Sequence, residues 1–111
     1  MPNEADVVFE RAAELFGLLS APMRLRILSE LCIDERNVSQ LLDRLECSQP
    51  NLSQHLALMY RMNVLSRRRE GAQVYYRLAN QSLAAICRSV CTEIAIDGGQ
   101  ADPGIFLTEE Q

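Results

Sequence analysis

Cys32, Cys47, Cys87 and Cys91 are the side chains of this 111-residue sequence best suited to redox chemistry or to a soft metal. No two form a Cys-x-x-Cys pair, which counts against a zinc ribbon or a thioredoxin-type dithiol. Cys87 and Cys91 stand four apart, so on a helix they share one face. Packing is the plain alternative, because free cysteine often behaves as a small buried hydrophobe. Nucleophilic catalysis needs a base or cation that holds the thiolate. The single histidine, His55, lies in a polar helical stretch, no cysteine precedes a phosphate-cradling loop, and no pair of carboxylates stands out. The chain is therefore expected not to be an enzyme.

A second set of residues suits nucleic acid. Ser48, Gln49, Asn51, Ser53, Gln54 and His55 cluster in eight positions, and amides and hydroxyls can read base edges. His55 lies close to an apolar stripe and fits a packing or capping role equally well. Arg67, Arg68 and Arg69 follow, with Arg61 and Arg77 nearby. The net charge of −4, taken whole, argues against a DNA partner, since a DNA-binding surface offsets phosphate charge. The distribution removes the conflict. Residues 1–14 hold four acids and one arginine, and residues 93–111 hold five acids and no base. From Arg61 to Arg77 there are five arginines and one acid, net +4. All eleven basic residues are arginine, a bias with no functional account. An ordinary solvated hairpin would explain an arginine run in isolation.

The elements that must position these groups read mainly as helices. Val8, Ala12, Leu15, Phe16 and Leu19 give Asp6 to Leu19 an amphipathic helical period. Ser20 is placed to cap a second helix from Pro22 to about Cys32, with Met23, Ile27, Leu28 and Leu31 inward. After the turn Asp34–Asn37, with Asn37 a candidate cap, a short third helix spans Val38 to Leu45. Glu46-Cys47-Ser48 connects it to a fourth, Gln49 to Met62, again with serine as cap and proline in the first turn. That spacing is the spacing of a helix-turn-helix, whose second helix enters the major groove. Beyond Asn63 the period falls to two, and Leu65–Arg69 and Gln73–Leu78 around Gly71 predict a β-hairpin. A last helix, Gln81 to Ile96, carries the seam Leu83, Ile86, Cys87, Val90, Cys91, Ile94, the pattern of helix against helix.

Three stretches together resemble the ArsR/SmtB family of bacterial transcriptional repressors: Ala21-Pro22-Met23-Arg24-Leu25-Arg26-Ile27-Leu28, Ser48-Gln49-Pro50-Asn51-Leu52-Ser53-Gln54-His55-Leu56, and Arg68-Arg69-Glu70-Gly71 with Val74-Tyr75-Tyr76-Arg77-Leu78. The resemblance covers about residues 8–96. It implies a mainly α winged helix-turn-helix, about five helices and a two-stranded wing, dimerised through its first and last helices. Such a homodimer represses a stress-response operon, binds an inverted repeat in double-stranded DNA, and leaves it when a metal or thiol-reactive species arrives.

The family's sensor sites transfer only in part. Its arsenite motif, Glu-Leu-Cys-Val-Cys-Asp-Leu, corresponds here to Glu35-Arg36-Asn37-Val38-Ser39-Gln40-Leu41, which lacks both thiols. Its zinc ligands on the last helix fall on Asn80, Ser82, Glu93 and Ile96, which leaves one ligand. A thiol-sensing subgroup, responsive to persulfide or oxidants, links a cysteine on the second helix to one on the last. Those positions are Ser29 and Ala95 here, with Cys32 one turn later and Cys91 one turn earlier. The opposed shifts keep a Cys32–Cys91 pair available if the helices run antiparallel, and Cys87 is the other partner on the last helix. A bridge needs Cα atoms within about 7 Å. Cys32, Cys87 and Cys91 could instead supply three sulfurs to arsenite or a soft metal acting as inducer, or serve packing alone. No other cofactor is expected. Cys47 is assigned to packing.

Residues 1–97 are expected to form one DNA-binding and dimerisation domain, and residues 98–111, rich in glycine and acid, a flexible tail. No apolar run approaches the roughly 20 residues of a membrane span, and the acidic start lacks a secretory pattern, so a cytoplasmic location is expected. A winged helix used for protein contact is the alternative of another class, which an apolar wing would favour over an arginine-bearing one.

Overall fold

A computed structural model describes residues 3–99 and 104–106. Its elements in chain order are α1 (Glu4–Leu18), α2 (Pro22–Ile33), β1 (Arg36–Asn37), α3 (Val38–Arg44), α4 (Gln49–Arg61), β2 (Leu65–Glu70), β3 (Gln73–Leu78) and α5 (Gln81–Asp97). The five helices and the hairpin fall where periodicity puts them. The sheet has a third strand, in the order β1-β3-β2, all antiparallel. β1 is two residues long, too short for any period, and pairs Arg36 with Tyr76 and Asn37 with Tyr75.

Local chemistry sets the boundaries. α1 begins two residues earlier than expected because Asn3 and Asp6 form a capping box: Asn3 Oδ1 accepts from the Asp6 N–H at 2.9 Å, and the Asp6 carboxylate accepts in turn from the Asn3 N–H. Asn37 builds the same box with Gln40 at the start of α3, its side chain buried. Ser48 caps α4, as expected. Ser20 does not cap α2: the cap residue is Ala21, and the Ser20 hydroxyl donates back to the Gly17 carbonyl at 2.6 Å. Asn63, with φ 63°, ends α4 in the left-handed region that asparagine tolerates. Gly71, with φ 62°, sits in the two-residue turn of the hairpin, where a side chain would be strained.

Ile27, Leu28, Leu41, Leu52, Leu56, Met59 and Val64 form a core closed to solvent. They come from α2, α3, α4 and the approach to β2, so the core sits directly behind the helix-turn-helix and holds α3 and α4 rigidly. α1 contributes only Leu18 to it. The expected inward residues Val8 and Phe16 are 62% and 58% exposed, and on α5 Ile86, Val90 and Ile94 also face outward. One chain has too few elements to cover these two helices.

Within the expected 98–111 tail, residues 104–106 are docked on the domain. Phe106 is 2% exposed and belongs to the core. Its N–H donates to Ser29 Oγ at 2.8 Å and its carbonyl accepts from Arg88 Nε at 2.9 Å, so the segment is tied to α2 and α5. Burial of one phenylalanine with both backbone polar groups satisfied outweighs the local glycine and charge content. Residues 100–103 and 107–111 of that expected tail lie outside the described residues.

Candidate nucleic-acid interface

α4 buries Leu52, Leu56 and Met59, and this fixes which residues look outward. Gln49, Asn51, Ser53 and Gln54 are exposed, as is Tyr60 in the last turn. Ser48 is exposed too, but its hydroxyl is engaged as the cap, accepting from the Asn51 N–H at 3.3 Å. A capped N-terminus with two exposed amides in its first turn is suited to a phosphate or a base edge.

His55 is half-buried, and its Nδ1 is engaged. Arg24 Nε donates to its Nδ1 at 3.2 Å, while Arg24 Nη1 donates to the Leu18 carbonyl at 3.0 Å. The contact requires Nδ1 to be an acceptor, so the imidazole is neutral with its proton on Nε2, a donor away from Arg24. Burial first, and the Arg24 charge second, push its pKa down. A histidine with a depressed folded pKa contributes stability above its unfolded value, and that stability is lost as pH falls through the folded value. We expect the melting temperature to drop between about pH 7 and about pH 5.5 by more in the wild type than in His55→Gln, measured by circular dichroism. Parallel pH curves would contradict the Arg24–His55 contact.

The strand period separates the wing arginines. Ser66, Arg68 and Glu70 lie on one face, opposite Arg77, Tyr75 and Gln73; Leu65, Arg67 and Arg69 lie on the other, opposite Leu78, Tyr76 and Val74. Arg67 stacks over the Tyr60 ring of α4, 3.9 Å from its centroid, and hydrogen bonding to Tyr76 is the main reason its pKa is raised. The Arg67 and Arg69 face is therefore the α4 side of the wing. Arg68 stacks on Tyr75 at 4.6 Å and is paired with Glu35 and Glu70. Arg77 Nε donates to Ser66 Oγ at 3.0 Å. The sequence presents the three consecutive arginines as one patch and gives no sign of Glu35, Tyr60 and Tyr75, which sort them. Alternation within the hairpin is the one signal that separates Arg68 from its neighbours; nothing in the sequence points to Glu35.

Cys32, Cys87 and Cys91 sit where α2 packs on α5, and Cys47 lies in the connection between α3 and α4. Cys87 is buried, and Cys32, Cys47 and Cys91 are half-buried against the core. Burial raises the Cys87 pKa, with Cys91 and Cys32 adding to it, so these three are electrostatic neighbours. Burial also raises Cys32, and Arg88 opposes it. All four are free thiols. Among the described residues no three His, Cys, Asp or Glu side chains are placed to hold a metal ion. No described helix is long and apolar enough to cross a membrane.

A capped two-helix reader backed by a core and flanked by a three-stranded wing defines a winged helix-turn-helix domain. Residues 21–67 match the family described as bacterial regulatory protein, arsR family. The chain is 39% identical over 79 residues to the HTH-type transcriptional repressor SmtB of Mycobacterium tuberculosis, covering 71% of this chain and 58% of that protein. It is 39% identical over 80 residues to the transcriptional repressor PagR of Bacillus anthracis, covering 71% of this chain and 80% of that one. The structure of reduced HlyU from Vibrio cholerae superposes with a TM-score of 0.71 at 33% identity, covering 78% of this chain and 92% of that one. The chain belongs to the arsR family of bacterial regulatory proteins.

Proposed function

We propose that the protein is a DNA-binding transcriptional repressor that acts as a homodimer and releases its operator when cysteine thiols are modified. The observation that carries the DNA reading is the shared orientation of two surfaces. The polar face of α4 and the Arg67–Arg69 face of the wing meet at the Tyr60–Arg67 stack, so both can engage one duplex. Gln49, Asn51, Ser53, Gln54 and the Nε2 of His55 read base edges; Arg67 and Arg69 hold phosphate. An inverted repeat with half-sites about one helical turn apart matches a two-fold dimer. The relatives SmtB and PagR are both transcriptional repressors, which supports the same role here.

The dimer reading rests on α1 and α5. Phe16, Leu19, Leu25, Ile86, Cys87, Val90 and Cys91 line an apolar groove between them, with Phe16 and Val90 more than half exposed. A second copy presenting the same seam covers it by two-fold symmetry.

The thiol reading rests on the grouping of Cys32, Cys87 and Cys91 at the α2–α5 contact, against the same seam. Peroxide takes two electrons and two protons from two thiols, forming one S–S bond and two waters. Intact mass and DNA binding after peroxide or persulfide treatment test it; unchanged mass with unchanged binding removes it. An arsenite arm tests the soft-metal alternative, which the described side chains do not favour.

For the interface itself, Arg67→Ala with Arg69→Ala is expected to weaken duplex binding at least about tenfold. The dependence of log K on log salt becomes shallower by about 0.9 for each phosphate no longer neutralised. Fluorescence anisotropy across a salt series measures both, and an unchanged slope would take the wing off the phosphates.

A further inference from the structure

Arg68 is the most heavily engaged side chain of the wing. Its Nε donates to both Glu35 carboxylate oxygens, at 3.1 and 3.2 Å, and its Nη2 also donates to Glu35. Its Nη1 donates to Glu70 at 2.6 Å, and its guanidinium stacks on Tyr75. All three partners lie on or beside the wing face turned away from α4, and Glu35 belongs to the turn that leads from α2 through β1 into α3. One arginine therefore ties the wing to the start of the helix-turn-helix. Two carboxylates against one guanidinium leave this cluster with no surplus positive charge. Among the described residues neither Arg67 nor Arg69 forms an ion pair with a carboxylate.

We propose that Arg68 is a positioning residue rather than a phosphate contact: held by Glu35, Glu70 and Tyr75, it sets the wing's angle against the α2–α3 turn so that Arg67 and Arg69 reach DNA. The Glu35 carboxylate, whose pKa the Arg68 hydrogen bond pulls down, stays ionised across the neutral range and keeps the tie in place. Exposed ion pairs are individually weak, but a two-carboxylate, ring-stacked arrangement restricts the hairpin well beyond what one pair would.

This inference rests on the DNA-binding reading, and two measurements separate them. On a random-sequence duplex, Arg68→Ala and Glu35→Gln are each expected to weaken binding by about three- to fivefold, because the free wing adopts the binding orientation less often while Arg67 and Arg69 still meet phosphate once bound, so the salt slope is unchanged. The double variant should be no weaker than either single one. A shallower slope in Arg68→Ala, or tighter binding in Glu35→Gln, would show that Arg68 holds phosphate, and no change in either variant would show that the tie positions nothing; both overturn the proposal. Without DNA, hydrogen exchange at the amides of residues 67–72 should quicken in both variants. Unchanged exchange overturns the proposal even if the wild type binds DNA, whereas quickened exchange in a protein that binds no duplex overturns only the DNA reading.

Discussion

Val90→Asp is expected to make the protein a monomer and to weaken duplex binding by about a hundredfold or more, the order of avidity that disappears when two linked half-site readers are separated. Val90 is 51% exposed in the single chain, so an aspartate there meets no core and leaves the fold of one protomer intact. In the proposed dimer the same position is covered by a second copy, and an unpaired carboxylate buried on both sides of a two-fold axis is strongly unfavourable. Val90 lines the α1–α5 groove with Phe16 and Ile86, so the charge falls on the apolar surface. Sedimentation gives the mass and anisotropy gives the affinity. A dimeric Val90→Asp protein would move the interface elsewhere; a monomer with full affinity would show that one protomer suffices for DNA.

Phe106→Ala is expected to cost about 3–5 kcal/mol of unfolding free energy, the range for removing a buried aromatic side chain. For a domain of this size, with a total of about 5–15 kcal/mol, that is a large share. The effect should appear as a lower denaturant midpoint with little change in slope. Ser29→Ala, which leaves the Phe106 N–H without its acceptor, should cost less, about 1–3 kcal/mol. An unchanged midpoint for Phe106→Ala would mean that the segment does not dock on α2 and α5. Phe106 and Ile105 share a wall with Ser29 and Cys91, so the docked segment also stands beside one of the candidate sensor thiols.

The helices and the hairpin are legible in the sequence because periods of 3.6 and two persist through them and because Asn37, Ser48 and Gly71 carry local instructions. The outward polar face of α4 is legible for the same reason: burial of Leu52, Leu56 and Met59 dictates its opposite side. Features made by residues far apart in sequence are not. β1 is two residues that act as strand only because β3 offers an edge. Glu35 meets Arg68 across thirty-three positions, and Phe106 meets Ser29 across seventy-seven. His55 reads as base contact or as packing; its Nδ1 is bound to Arg24 and its Nε2 faces away from that contact, so both halves of that ambiguity have a physical basis. The apolar period of α1 marks a face that favours burial, but much of that face is not in the core of one chain, because a period reports that a face is to be covered and not by what.

A chain of net charge −4 is expected to bind duplex DNA through a local excess of arginine. Fluorescence anisotropy of the wild type on a random-sequence duplex, long enough for two half-sites and titrated from about 50 to about 200 mM salt, tests it most directly. The expected result is binding at the low end and a steep linear fall of log K with log salt, shallower when Arg67 and Arg69 are replaced. Absence of binding at the low end, or binding indifferent to salt, would contradict it.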